Sequence, residues 1–300
     1  MTLILMARTI ACTLTSFLLL YSPVTMAQKL PVLEPPGAAY QSIAVLSSKP
    51  NEGRKELDTI RYPWAEYSKG ALGNALWRTV YLLPADEAQL PGLIQFPASS
   101  SDQTRAELDY LLKLQNSRTQ QEIDRANYIA NIGSWPNILN PTDPDYQANR
   151  EQLYYILSTA TGKQYDYSQY PATTTLLLNC IQDIRVTEFR LKQVFKRPRP
   201  YHVEPRLQPL TRISSPSFPS GHSLWSYTEA YIFAELFPQK RQDFIKVAAE
   251  VRWSRELLGI HYPSDNEASR VIGWHLLKSW YKNPRFVADL KKAQMEWSSK

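Results

Sequence analysis

From Ala172 to Phe195, the residues Leu176, Leu177, Cys180, Ile184, Leu191 and Val194 recur at roughly helical spacing, and the chain then reads Lys-Arg-Pro-Arg-Pro. This is the longest helical pattern in the sequence, and its end is dictated by chemistry. Pro198 and Pro200 lack an amide donor and clash with the preceding turn, so the helix must stop before them. The surrounding sequence has the same character. Leu108, Leu111, Leu112 and Leu114 form a broad apolar stripe after Asp102, and Thr119 with Glu122 makes a capping-box signature ahead of the next segment. A Pro, Asn and Asp loop over 135–146 breaks the pattern, and 150–162 resumes it. Further helical segments follow Gly221-His222, start at Pro238, follow His261-Tyr262-Pro263, and run from Pro284 toward the end. Strand patterns are scarce and no internal repeat is visible. The sequence predicts an all-α fold, a single helical bundle domain over residues 101–300 with one core from about residue 100 onward. Residues 28–100 read as an N-terminal arm or irregular cap, since 28–60 is rich in Pro, Gly and Ser and lacks clean periodicity.

The 43% hydrophobic and 21% charged fractions are those of a globular chain. Residues 1–27 have the layout of a secretory signal peptide: Arg8 as the one charge, an apolar run over Thr9–Tyr21, and small residues before a cut after Ala27. An uncleaved anchor is the competing reading of the same segment. Beyond it no run approaches the roughly 18 apolar residues of a membrane span, so no stable membrane insertion is expected after cleavage. A periplasmic or secreted location follows. Removing Arg8 takes the formal charge from +6 to +5, a balance that suits anionic small substrates and is too mild and dispersed for nucleic acid. Cys12 would leave with the signal, so Cys180 would be alone and no intramolecular disulfide could form. A homo-oligomer is compatible with the sequence.

Three blocks carry candidate chemistry. In the first, Lys192, Lys196, Arg197 and Arg199 put four cations within about two turns, with Arg199 stiffened between prolines. A guanidinium there can hold two phosphate oxygens, although a basic helix end facing water has the same composition. In the second, Pro219-Ser220-Gly221-His222 is a turn into a helix. Ser220 is a natural N-cap, Gly221 permits close approach of an anion to the free amides, and His222 stands beside them as a proton donor. A plain capped helix start reads the same way. In the third, Arg255 and His261 are separated by an apolar turn, and Asp265 lies four residues after His261, where its carboxylate can fix the imidazole tautomer. Ser264 and Glu267 acting as a capping box would be the bland account.

Together the blocks read K-x6-RP, PSGH and SR-x5-H-x3-D, and in this the chain resembles the type 2 phosphatidic acid phosphatase superfamily, which includes bacterial class A acid phosphatases and vanadium haloperoxidases. The resemblance is strongest from Ile181 to Leu277. It implies a helical bundle of the acid phosphatase/haloperoxidase type. It also implies that Lys192, Arg199, Ser220, Gly221 and Arg255 bind phosphoryl oxygens, that His261 attacks phosphorus, that Asp265 holds His261, and that His222 is general acid and then base. The expected activity is that of a metal-independent phosphomonoesterase using a phosphohistidine, with a small phosphate ester as partner. No metal or cofactor is expected, vanadate being an inhibitor. A vanadium-dependent haloperoxidase, with vanadate as cofactor, and a lipid or isoprenoid phosphate phosphatase are the alternatives. His202 and His275 read as supporting or structural residues, Trp225, Tyr227, Tyr231 and Phe233 as helix core, and Trp253 and Tyr262 as pocket rim.

Overall fold

The computed structural model describes residues 32–132, 150 and 152–298. The proposed signal segment and the 135–146 loop lie outside these residues. Within them the regular structure is entirely helical, as the periodicity predicts. Eight longer helices are α1 (Asp102–Ser117), α2 (Gln120–Asn131), α3 (Tyr155–Thr161), α4 (Pro171–Phe195), α5 (Gly221–Leu236), α6 (Arg241–Leu257), α7 (Pro263–Trp280) and α8 (Pro284–Ser298). The local reasons are visible at the ends. The Thr119–Glu122 capping box opens α2 with both of its reciprocal bonds made. Prolines occupy the first positions of α4, α7 and α8, where the missing amide costs nothing. At the end of α4, Lys196 takes a left-handed conformation with φ 48° and turns the chain away before Pro198. No helix among the described residues is long and apolar enough to cross a membrane.

Helix α5 is the centre. Every residue from Ser223 to Ala234 is buried, because α5 packs against α6, α7, α4 and α3 at once. Its apolar residues, Leu224, Trp225, Tyr227, Ala230, Tyr231, Ile232 and Phe233, fall on every side of the helix, so no face is left for solvent. The closest approach is at Gly273 of α7, where a Cβ would lie 2.6 Å from Thr228 Oγ1, so the small residue sets the α5–α7 spacing.

Two findings amend the predicted core. First, there are two apolar clusters rather than one. The larger surrounds α5. The smaller joins Leu108, Leu111 and Ala126 to Tyr201, Leu257, Ile260 and Tyr262, beneath the second half of the motif residues. A polar layer runs between them because the motif blocks converge there. Second, the core begins before residue 100: Tyr81, Leu82, Leu90 and Ile94 are buried in the larger cluster. Aperiodic sequence hid this, since short turns bury single residues without a repeating pattern. The attachment is polar at its heart. The buried Asp183 carboxylate on α4 accepts the backbone N–H groups of Val80, Tyr81 and Leu82 and the indole N–H of Trp280. Within α4, Leu176, Leu177, Cys180, Ile184 and Leu191 are buried as expected, but Val194 is 60% exposed, because the last turn directs Leu191 and Phe195 to the core and Val194 to the opposite face.

Removing the Asp183 carboxylate leaves three buried amides and an indole N–H without acceptors. Asp183→Ala is expected to lower unfolding stability by about 2–4 kcal/mol, and Asp183→Asn by less, since one amide oxygen still accepts. Denaturant titration checks this; an unchanged midpoint in Asp183→Ala would contradict the role.

Candidate active site

A cleft of about 650 Å³ opens beside the amino terminus of α5. It is lined by Lys192 and Glu188 of α4, Arg199, Gly221 and His222, Arg255 at the end of α6, and His261. The three sequence blocks, spread over more than seventy positions, meet at this one surface. The arm closes another side through Ser68, Gly70, Ala71, Asn74 and Trp77. Four lining residues are cationic, Arg185 being the fourth, against the single carboxylate of Glu188, so the cleft is built for an anion.

The first block does not face water. Lys192, Arg197 and Arg199 are buried, and Lys196 alone of the four is exposed. Lys192 Nζ donates to the carbonyls of Pro216 (2.7 Å) and Pro219 (2.6 Å), pinning the turn that leads into α5, and lies 3.7 Å from Glu188. Burial, with Arg199 nearby, pushes its ammonium down to about 8. Arg199 donates Nε to Ser215 O (2.8 Å) and Nη1 to Ile260 O (2.8 Å). Arg255 Nε and Nη2 reach Ser254 Oγ, and Nη2 reaches Ala126 O, midway along α2, at 3.4 Å. Burial and then the field of Arg199 push Arg255 down to about 9. Neither Arg199 nor Arg255 has a carboxylate within 4.0 Å among the described residues.

The third block places His261 between Asp265 and Arg199. Its Nδ1 lies 3.1 Å from Asp265 Oδ2 and its Nε2 lies 3.1 Å from Arg199 Nη1. A guanidinium only donates, so Nε2 accepts and the ring hydrogen sits on Nδ1, donated to Asp265. Burial first, and Arg199 second, hold the imidazole pKa well below its ordinary value, so it is neutral with its Nε2 lone pair toward the cleft. Asp265 also accepts Arg197 Nη1 (2.7 Å), Ser217 Oγ and the Tyr262 amide (2.9 Å). Burial would raise its pKa, but Arg197, His261 and Ser217 outweigh it and hold the carboxyl well below the usual range. By accepting the Tyr262 amide, Asp265 caps the start of α7, in place of the Ser264–Glu267 box that the sequence also allowed. One carboxylate therefore caps a helix and orients an imidazole.

In the second block, His222 Nε2 donates to Ala130 O at 3.2 Å, which leaves Nδ1 as the titrating nitrogen. Burial and then Arg255 push its pKa down to about 3, so His222 is neutral in the empty site. Gly221 permits a close approach, and the group that makes it here is Glu188. A Cβ at 221 would stand 2.2–2.5 Å from the Glu188 carboxyl atoms, so a carboxylate rests against the α5 amino terminus. Ser220 departs from expectation. It is the N-cap residue, but its hydroxyl makes no capping bond; it donates to Ser223 Oγ (3.2 Å), which donates onward to Asn266. Fully buried and outside the cleft lining, the hydroxyl follows a buried acceptor chain.

Trp253 and Tyr262 do not form the rim. Trp253 packs on the smaller apolar cluster, and Tyr262 is buried with Arg197 stacked 3.7 Å from its ring centroid. Trp225 does line the cleft, while Tyr227, Tyr231 and Phe233 are core. His202 accepts the Arg199 amide on Nδ1 and lies 3.2 Å from Glu66 on Nε2, and His275 is half-buried on α7 outside the cleft lining. Three supporting residues were missed. Arg197 reads in the sequence as one more cation of the first block, and Ser217 and Glu107 carry no motif that singles them out. Glu107 accepts the Ser264 amide (2.6 Å) and Arg197 Nη2 (3.3 Å), and burial pushes it up to about 7 despite that arginine. The clue was Arg197 itself, flanked by Pro198 in a segment too constrained to face water. No group of three or more His, Cys, Asp or Glu residues arranged to hold a metal ion occurs among the described residues.

Comparison with known proteins places this arrangement. The chain is similar to a non-specific acid phosphatase of Providencia stuartii, 27% identical over 147 residues, covering 47% of this chain and 59% of that protein. It is 38% identical over 88 residues to a lipid A 1-phosphatase of Rhizobium johnstonii, covering 28% and 36% of the two chains. The matched region thus spans less than two thirds of the length of either relative. A transmembrane PAP2-type phosphatidylglycerolphosphate phosphatase from Bacillus subtilis aligns with a TM-score of 0.43 at 21% identity, over 65% of this chain and 90% of that one. The family model of the PAP2 superfamily matches residues 170–287, which hold Lys192, Arg199, Gly221, His222, Arg255, His261 and Asp265. All three motif blocks therefore lie within the segment that the PAP2 superfamily model matches.

Proposed function

We propose that the chain is an exported phosphomonoesterase that works through a phosphohistidine at His261 and needs no metal. The observation that carries this reading is the pairing of buried guanidinium groups lacking carboxylate partners with a neutral imidazole whose Nε2 faces the same cleft. Burying unpaired cations is costly, and a phosphoryl group relieves that cost at the place where the reaction needs charge neutralised. The non-specific acid phosphatase to which the chain is similar supports a small phosphate ester as substrate.

The steps follow from the geometry. Arg199 exchanges its contact with His261 Nε2 for a phosphoryl oxygen, which both binds the substrate and frees the lone pair. Arg255, Lys192 and the Gly221 amide receive the remaining oxygens, and Glu188 gives up its place at the α5 amino terminus. His261 Nε2 attacks phosphorus; the N–P bond forms as the ester P–O bond breaks, and Asp265 supports the positive charge that develops on the ring. The departing alkoxide takes a proton from His222 Nδ1. Water then attacks, its proton goes to His222, and the N–P bond breaks to release inorganic phosphate. The depressed pKa of His222 means that this proton does not sit there in the empty site. The phosphate monoanion carries it in, and the same charge then raises the imidazole pKa. Export rests on the composition of residues 1–27.

Release of p-nitrophenol from p-nitrophenyl phosphate in EDTA tests the reading. The wild-type chain should turn over, and His261→Ala should lose about a thousandfold or more in kcat. Equal rates in the two, or activity restored only by added Mg²⁺, would overturn it. The pH profile follows from the same groups. His261 is held neutral well below its ordinary value of about 6.5, so kcat/KM should persist into acid. It should decline as pH rises past about 6, where a phosphate ester loses its second proton. An acid limb with its midpoint at the ordinary histidine value would contradict the buried, neutral imidazole.

A further inference from the structure

Arg185 is not part of the three blocks, and the mechanism above does not use it. It lies on α4 one turn before Glu188 and two before Lys192, so the three side chains share one face at i, i+3 and i+7, and all three line the cleft. Its guanidinium makes no hydrogen bond and has no carboxylate within 4.0 Å among the described residues, and its Nε is enclosed without any partner. The neighbouring Arg190, by contrast, is fully used: it pairs with Glu87 and donates to the carbonyls of Ala75 and Trp77. The ring of Trp77 lies 5.9 Å from the Arg185 guanidinium, and Asn74 and Gly70 of the same arm line the cleft with it. Burial lowers the Arg185 pKa to about 10, with the field of Glu188 only partly opposing it.

We infer that Arg185, backed by Trp77 and Asn74, is an outer anion subsite, and that the preferred substrates are phosphomonoesters whose leaving group carries a second anionic group. This rests on the phosphomonoesterase reading and specifies its substrate. The separation is set by the helix: seven residues at 1.5 Å rise place Arg185 about 10 Å from Lys192 along α4. Glu188 stands between them, so an anion at the outer position is kept apart from the reacting phosphoryl group. A leaving group bearing its second charge next to the ester would meet the Glu188 carboxylate, and one bearing it some five or six bonds away would reach Arg185. The guanidinium fork suits phosphate or carboxylate, and the Trp77 ring gives the intervening chain an apolar surface.

Phosphate release from pentamethylene bisphosphate and from pentyl phosphate, by the full chain, tests the subsite. Wild type should favour the bisphosphate by about tenfold in kcat/KM, beyond the twofold supplied by its two ends, and mostly through KM. Arg185→Met should abolish that preference while hydrolysing pentyl phosphate at the wild-type rate. Arg185→Lys, which keeps the charge, should retain part of it. No preference in wild type, or an equal loss on both esters in Arg185→Met, would overturn the inference. Hydrolysis of pentyl phosphate without preference sinks the subsite alone; hydrolysis of neither ester sinks the phosphomonoesterase reading and the subsite with it.

Discussion

The Asp265 carboxylate is the knot on which the site depends. It accepts from Arg197 of the first block, Ser217 just before the second, and Tyr262 and His261 of the third. A buried carboxylate costs several kcal/mol unless its lone pairs are filled, and here four donors from three distant segments fill them. The convergence of those segments and the ionisation of Asp265 are therefore the same event. The consequences run outward. With Asp265 charged, His261 carries its hydrogen on Nδ1 and keeps Nε2 for the cleft. With Arg197 used by Asp265 and Glu107, Arg199 and Arg255 are left to face an incoming anion.

The site thus divides its cations by task. Arg197 is neutralised and structural, stacked on Tyr262 and bonded to two carboxylates. Arg199 and Arg255 are held by backbone carbonyls and, respectively, the hydroxyls of Ser215 and Ser254. These partners fix their geometry without cancelling their charge. Lys192 stands between these roles, tying down the turn before α5 while remaining on the cleft wall. Depressed pKa values at Lys192, Arg255, His222 and His261 share one first cause, burial, with neighbouring positive charge adding to it. An anion in the cleft relieves all four together.

Much of this was legible from residues alone. The helical elements from Asp102 onward declare themselves by period, the Thr119–Glu122 box by its spacing, and the end of α4 by Pro198. The meeting of His261 and Asp265 follows from their separation of four residues at a helix start. What was not legible depended on contacts between distant segments. Nothing local marks Ala126, midway along α2, and Ala130, in its last turn, as the carbonyls that hold Arg255 and His222, because an alanine carries no side chain that signals a partner. Val80, Tyr81 and Leu82 look like loop residues until Asp183 gathers their amides. Ser220 was misjudged because its own backbone position suits a cap, whereas Ser223 and Asn266 offered its hydroxyl a buried partner. Arg197 and Arg199 are two residues apart and chemically identical; the motif spacing singles out Arg199, but only the fold shows Arg197 bonded to Asp265 and Glu107.

The central claim is that His261 Nε2 becomes covalently attached to phosphorus during turnover. Rapid quenching into alkaline denaturant, which preserves phosphohistidine, followed by peptide mapping of the modified chain measures this directly. The account predicts a phosphoryl group on His261 in the wild-type chain, enriched in His222→Ala, where the water that clears it lacks a base. A phosphoryl group on another residue, or turnover with none on His261, would contradict it.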